Sequence, residues 1–140
     1  MPRTILIVDD APDWRDMLAG LIQEVFPEIE VVTASSLDEA KTALTRNDFQ
    51  LAIIDIRLDD SDEANIDGLV LADFMRKQYP QTQALIITGY ADLETVKRAM
   101  QPDVNGLRLA ADYVEKNKLS AELLPRISAI LGKRQGYADN

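Results

Sequence analysis

The chain reads as an α/β protein in which βαβ units build a parallel sheet. Two observations predict this. Short apolar runs of strand length alternate with segments whose apolar residues recur at helical spacing. Four of those runs also end in a reactive polar residue: Ile5-Leu6-Ile7-Val8 in Asp9-Asp10, Leu51-Ala52-Ile53-Ile54 in Asp55, Leu85-Ile86-Ile87 in Thr88, and Tyr113-Val114-Glu115 in Lys116. A parallel sheet carries the C-terminal ends of its strands to one edge, so these residues are expected to meet in one pocket.

The elements follow in order. Residues 4–8 are the first strand. Met17, Leu18, Leu21, Ile22 and Val25 give the first helix, which ends before Pro27. Ile29 to Thr33 form the second strand. Ser36-Leu37-Asp38-Glu39 is a capping box that opens the second helix, with Leu37, Ala40 and Leu44 on its buried face. The third strand is 50–54, followed by a polar loop over 56–66. Leu69, Ala72, Met75 and Tyr79 share one face of the third helix, which Pro80 closes. The fourth strand is 84–88. Asp92 is placed to N-cap a fourth helix carrying Leu93, Val96 and Met100, and Pro102 ends it. The fifth strand is 111–115, and Leu123, Leu124, Ile127, Ile130 and Leu131 mark the fifth helix. If Ser120 caps that helix, Pro125 falls past its first turn and removes a backbone bond; the alternative is a regular helix that begins near Pro125. The polar tail is expected to fray, giving one domain over 1–134 and a flexible tail over 135–140.

Bulk properties remove several classes of function. A net charge of −9 and a pI near 4.4 argue against direct nucleic-acid binding and against an anionic membrane surface. No apolar run approaches a membrane span, and no signal peptide is read at the N-terminus, so a cytoplasmic location is the default expectation. The chain has no cysteine and no histidine, which excludes disulfides, thiolate or imidazole metal sites, histidine triads and an internal phosphohistidine.

The strand-end residues define the chemistry. Asp9, Asp10 and Asp55 in one pocket repel one another by roughly 3 kcal/mol per pair, at about 5 Å and an effective dielectric of about 20. Such a cluster takes up a cation or protons. All-oxygen ligands point to Mg²⁺, Mn²⁺ or Ca²⁺ rather than zinc. The plainer alternative is that these acids cap the helices that follow them. Asp55 ends the most apolar strand, where a carboxylate can act as a nucleophile and form an aspartyl-phosphate. Lys116 can pair with a phosphoryl oxygen, Thr88 supplies a hydroxyl, and Gly89 has no side chain to block an incoming group. Charge neutralisation and positioning do most of the catalysis in phosphoryl transfer.

Taken together, Ile7-Val8-Asp9-Asp10-Ala11-Pro12, Ile53-Ile54-Asp55, Ile87-Thr88-Gly89 and Tyr113-Val114-Glu115-Lys116 resemble the receiver (CheY-like) domain of two-component response regulators. The resemblance spans residues 4 to 131, with one motif per strand end in the family's order. It implies a flavodoxin-like, doubly wound, five-stranded parallel sheet in the order 2-1-3-4-5 with five helices. It further implies that Asp55 is the phospho-acceptor, and that Asp9 and Asp10 hold Mg²⁺ with it, Mn²⁺ being a possible substitute. Arg57 would offer a backbone carbonyl to the metal. Thr88 would bond the phosphoryl group after transfer, Lys116 would be the family's lysine, and Tyr113 the aromatic that changes rotamer as Thr88 moves. The plainer reading of Tyr113 is amphipathic packing at a strand edge. Arg57 and Tyr90 lie two residues beyond Asp55 and Thr88, where family members control water access, so slow self-dephosphorylation is expected. The implied partners are a histidine kinase or histidine phosphotransfer protein and a downstream output protein or domain. A homodimer through helix 4, strand 5 and helix 5 is a further possibility.

Three departures from the family stand out. The loop Asp59-Asp60-Ser61-Asp62-Glu63-Ala64-Asn65-Ile66 replaces the family's proline and is about five residues longer, with Gly68 as the matching glycine. It is either a solvated insertion or an acidic rim that edits access to the pocket. Asn117 stands where a proline usually follows the lysine, so a trans bond is expected there. An insertion at Pro102-Asp103-Val104-Asn105-Gly106-Leu107 lengthens the connection into the fifth strand and is either a specificity element or an idle loop. Trp14, the one tryptophan, is read either at the rim of the acid pocket or as a surface aromatic of the first helix.

The leading reading is thus a phosphotransfer signalling module, a stand-alone receiver or a piece of a longer chain, that catalyses its own phosphorylation without being a conventional enzyme. A degenerate receiver used only for protein binding is the alternative. A haloacid-dehalogenase-type phosphatase would need a second aspartate at position 57, which is Arg57, and a flavodoxin would need a phosphate loop after strand 1.

Overall fold

A computed structural model describes residues 3–59 and 61–139, with side chains described for all of these except Tyr90 and 133–139. Five strands, β1 (Thr4–Val8), β2 (Glu30–Ala34), β3 (Leu51–Asp55), β4 (Gln83–Thr88) and β5 (Asp112–Glu115), alternate with five helices. The helices are α1 (Pro12–Val25), α2 (Leu37–Arg46), α3 (Asp67–Gln78), α4 (Leu93–Ala99) and α5 (Leu119–Asp139), and short 3₁₀ turns cover Tyr90–Asp92 and Lys116–Lys118. The sheet is wholly parallel, as the sequence pattern predicts, in the order β2-β1-β3-β4-β5 that the family resemblance implies. No helix among the described residues is long and apolar enough to cross a membrane.

The continuous apolar runs are explained by burial on both faces. Alternate residues point to opposite sides of a strand. Ile5, Ile7, Leu51, Ile53, Leu85 and Ile87 therefore pack under α1 and α5 with Leu18, Ile22, Leu123 and Ile127. Leu6, Val8, Ala52, Ile54 and Ile86 pack on the other face with Ala40, Leu44, Leu71, Ala72, Met75 and Val96 of α2, α3 and α4.

Several helix ends differ from the sequence expectation. α1 begins at Pro12, five residues before the first periodic apolar residue. The Asp9 carboxylate accepts the Ala11 N–H at 2.9 Å, and Pro12 sits in the first turn, where it withholds no needed donor. At α2, Ser36 Oγ accepts the Glu39 N–H at 3.1 Å as a cap should, but Glu39 reaches back to Ser35, accepting both its N–H and its hydroxyl at 2.8 Å. Those bonds hold the Glu39 carboxyl below its usual range. Asp92 occupies the N-cap position of α4 without a side-chain capping bond, because its carboxylate is held elsewhere. α5 starts at Leu119 and carries Pro125 inside it. Pro125 and Ala121 are both exposed, so the carbonyl that loses its partner lies on the side open to water. The helix runs across the boundary expected after residue 134, and the side chains of the tail over 135–140 lie outside the described residues.

The loops over 59–66 and 102–107 are shaped largely by their own polar groups, and Asp103 also meets Arg76 of α3 at 3.6 Å. In the first, Asn65 Oδ1 accepts the N–H groups of Leu58 and Asp67, both at 3.0 Å. Asp59 accepts the N–H and hydroxyl of Ser61, and Asp62 accepts the Ala64 N–H. Asp60 lies outside the described residues. In the second, Asp103 Oδ1 accepts the N–H groups of Asn105 and Leu107 at 2.8 and 3.0 Å, and Gly106 takes a φ of 78°. The chain has no cis peptide among the described residues, so the Lys116–Asn117 bond is trans.

Candidate functional site

Strand register places the predicted residues at one edge. Val8 pairs with Ile54, Asp55 with Ile87, and Thr88 with Glu115. The residues that end β1, β3 and β4 therefore stand side by side, with Lys116 one residue past β5. Asp9 and Asp55 are nearly fully buried, at 1% and 3% exposure. One carboxylate oxygen from each of Asp9, Asp10 and Asp55 lies within 4.8 Å of the others.

Asp9 does two jobs. Its carboxylate ties down the Ala11 N–H, as a local turn reading would have it, and its carbonyl accepts the Arg15 guanidinium at 2.7 Å. It also joins the acid cluster; its bond to the N–H of Ala11, the N-cap residue, is a local turn and not a side-chain cap of α1. Asp55 is also paired: Lys116 Nζ donates to its Oδ2 at 3.1 Å. The Lys116 ammonium also sits 5.0 Å from the Trp14 ring centroid, so Trp14 is a wall of the pocket's lysine rather than a remote surface residue. Burial and the neighbouring Asp9 charge push the Asp55 carboxyl up to about 7, against the opposing pull of Lys116 and of the Arg57 backbone N–H.

The close fit of α3 completes the frame. A Cβ at Gly68 would lie 2.1 Å from the Asp55 carbonyl oxygen and 2.7 Å from the Ile56 Cα. Only glycine permits this approach, and its N–H donates to the Ile56 carbonyl at 2.9 Å.

The remaining predicted residues are placed less directly. Thr88 is fully buried and its hydroxyl donates to the Gly89 carbonyl at 3.0 Å. A side chain built at Gly89 meets open space. Tyr113 is half-buried against the cluster under α2, α3 and α4. The side chain of Tyr90 lies outside the described residues. Arg57 is the least expected. Its guanidinium makes a two-point ion pair with Asp92, Nε to Oδ2 at 2.9 Å and Nη2 to Oδ1 at 3.1 Å. Sequence reasoning assigned Asp92 a cap and Arg57 a carbonyl. The pair joins positions 35 residues apart, and no local spacing signals it.

The donor set suits a hard divalent cation. Oxygens around octahedral Mg²⁺ lie about 3.0 Å apart when adjacent and about 4.2 Å when opposite, from metal–oxygen bonds of about 2.1 Å. A cluster already within 4.8 Å needs little rearrangement to reach this.

Comparison with known proteins agrees with this frame. The family model described as the response regulator receiver domain matches residues 5–128. The chain is 33% identical to the response regulator protein PilR of Pseudomonas aeruginosa over 91% of its own length, which is 30% of the length of PilR. Among solved structures, the receiver domain of NtrX from Brucella abortus superposes with a TM-score of 0.75 at 31% identity, covering 91% of this chain and 97% of that one. The response regulator TrrA from Thermotoga maritima, solved in complex with Mg²⁺-BeF, gives 0.71 at 26% identity, covering 91% and 98%. With the strand order, the strand-end acids and these matches in agreement, the chain belongs to the receiver-domain family of two-component response regulators.

Proposed function

We propose that Asp55 accepts a phosphoryl group from a phosphohistidine on a partner protein, and that the modified chain then engages an output partner. The observation that carries this reading is the buried Asp55 carboxylate, gathered with Asp9 and Asp10 and paired with Lys116. In the transfer, an Asp55 oxygen bonds to phosphorus as the phosphorus–nitrogen bond breaks, and the departing imidazole keeps the electron pair. Asp9, Asp10, Asp55 and the Arg57 carbonyl would hold Mg²⁺, or Mn²⁺ in its place. The cation supplies charge neutralisation at the phosphoryl oxygens. Lys116 leaves Asp55 for a phosphoryl oxygen as the carboxylate becomes an acyl phosphate. The Thr88 hydroxyl exchanges its local Gly89 acceptor for the same group, and Tyr113 follows it.

The TrrA complex with Mg²⁺-BeF supports this reading, because it places the same class of ions on a relative of the same fold. The proposed donor is a histidine kinase or a histidine phosphotransfer protein; this sequence contains no histidine, so the phosphohistidine is not among its residues. The face of α4, β5 and α5 is the candidate output or homodimer surface, and the setting is the cytoplasm. Arg57 and Tyr90, two residues beyond Asp55 and Thr88, slow the attack of water on the acyl phosphate. Incubation with Mg²⁺ and acetyl phosphate should add the mass of one phosphoryl group to the wild-type chain and none to Asp55→Asn. An unmodified wild type, or a labelled D55N, sinks the reading.

A further inference from the structure

Arg57 and Asp92 belong to the two connections that frame the acceptor. Arg57 lies two residues beyond Asp55, and its backbone N–H donates to the Asp55 carboxylate. Its side chain crosses to Asp92, four residues beyond Thr88, and binds it at two points, 2.9 and 3.1 Å. Both side chains are mostly buried, at 20% and 16% exposure. One of the two contacts, Nη2 to Oδ1, is a charge-assisted hydrogen bond, and the Nε contact adds a close ion pair.

This pair displaces a local alternative. Asp92 stands at the N-cap of α4, yet its carboxylate makes no capping bond. Its backbone is at φ −104° and ψ 1°, the end of the 3₁₀ turn Tyr90–Asp92, rather than in the extended conformation of a cap. The Asp92 N–H donates to the Gly89 carbonyl at 3.1 Å, which closes that turn. The carboxylate therefore has two competing uses: it can hold Arg57 with the 3₁₀ turn wound, or cap α4 with the turn opened. Two exclusive arrangements of one segment are what a switch requires.

We propose that the Arg57 guanidinium is a second cationic contact for the phosphoryl group, and that Asp92 is a positioning residue that stores it until the group arrives. The inference rests on the acceptor reading of Asp55. A phosphoryl group offers three oxygens beside a residue whose backbone already touches Asp55, and a guanidinium pairs with phosphate as well as with carboxylate. Arg57 then exchanges partners, Asp92 is released to cap α4, and the connection between β4 and α4 changes shape. Phosphoryl and Asp92 compete for one guanidinium, so binding of either weakens the other.

The test is a titration of beryllofluoride with Mg²⁺, read by Trp14 emission, with the melting temperature of each variant taken in Mg²⁺ alone. Asp92→Asn removes the competitor and should tighten beryllofluoride binding by about two- to fivefold, the order set by a partly exposed ion pair. Arg57→Ala removes the contact and should weaken binding by about tenfold. Arg57→Lys, which keeps the charge, should fall between Arg57→Ala and wild type. A merely structural ion pair would move both partners' variants in the same direction, so opposite signs support the proposal. Unchanged or weaker binding in D92N, or equal shifts in D92N and R57A, overturns it. A wild type without a Mg²⁺-dependent response, or a D55N that retains one, overturns the acceptor reading itself and this inference with it.

Discussion

The ends of β1 and β3 and the end of β4 share one edge of the sheet, but they are built to different standards. Asp9 and Asp55 leave strands whose residues are buried throughout, with a neighbouring strand paired on each side. α3 presses on the Asp55 carbonyl so closely that only a glycine fits. β4 is also paired on both sides, but it runs into a 3₁₀ turn and a seven-residue helix whose one buried residue is Val96. The contrast teaches where rigidity is useful. Cation ligands and an acceptor need fixed positions. A segment that must change shape on modification is drawn from the least stable part of the fold.

The sharpest way to break the rigid side is Gly68→Ala. A methyl group 2.1 Å from a backbone oxygen cannot be absorbed by a side-chain shift, so α3 must move away from β3. We expect a loss of at least about 2 kcal/mol, seen as a lower urea midpoint. The acyl-phosphate yield should fall as well, because the Asp55 carbonyl moves with its side chain. A stable, fully active G68A would show that the frame around Asp55 is softer than its geometry suggests.

Proton linkage gives the next largest effect. The folded-state Asp55 carboxyl is raised to about 7 from its ordinary 3.8, so between those values the folded chain binds a proton that the unfolded chain has lost. The slope of stability with pH is then negative. The Asp55 contribution destabilises the metal-free fold progressively as pH rises from 3.8 to about 7, and levels off above that. Mg²⁺ bound as proposed would favour the deprotonated carboxylates and should reverse the loss at pH 8. The measurement is the urea midpoint of wild type minus that of Asp55→Asn at pH 5.5 and pH 8, with and without Mg²⁺. A difference that grows more favourable to wild type at pH 8 without the cation would contradict the assignment.

The parts of the molecule that were legible in the sequence are those where one residue's neighbours are set by the sheet. Apolar runs buried on both faces must be strands, and their ends must meet, so Asp9, Asp10, Asp55, Thr88 and Lys116 fall together by topology alone. Helix starts were harder to place. Periodicity marks α1 from Met17, whereas Pro12 and the Asp9 turn start it earlier through polar bonds that periodicity ignores. The Arg57–Asp92 pair was illegible because each residue already had a local reading: a backbone carbonyl and a water-access position for Arg57, and a helix cap for Asp92. Pro125 left two helix starts open, and the earlier one holds because the carbonyl it strands faces water.

A smaller effect tests the looser side. Asp92→Ala leaves a partly exposed ion pair unmade, worth at most about 1 kcal/mol globally. Its consequence should be local: amide exchange should rise over 89–99 and stay unchanged in β1 and β3. Equal acceleration in β3 would mean that the two connections form one cooperative unit, and the contrast between them would disappear.

The smallest effect is expected from the acidic loop after Leu58. Asp59 and Asp62 spend their carboxylates on the loop's own N–H groups, and with Glu63 they are exposed to solvent. Exposed charges are screened within about 8–10 Å at ordinary salt. Asparagine keeps the same turn-forming acceptor while removing the charge. The triple change Asp59→Asn, Asp62→Asn and Glu63→Gln should therefore move Mg²⁺ affinity by less than about twofold at 0.15 M salt. A loss of tenfold, measured by Trp14 emission against added Mg²⁺, would make this loop part of the cation site. The rigid pocket would then extend past β3 into the insertion, and the division between a fixed chemical edge and a movable rim would have to be redrawn on that side.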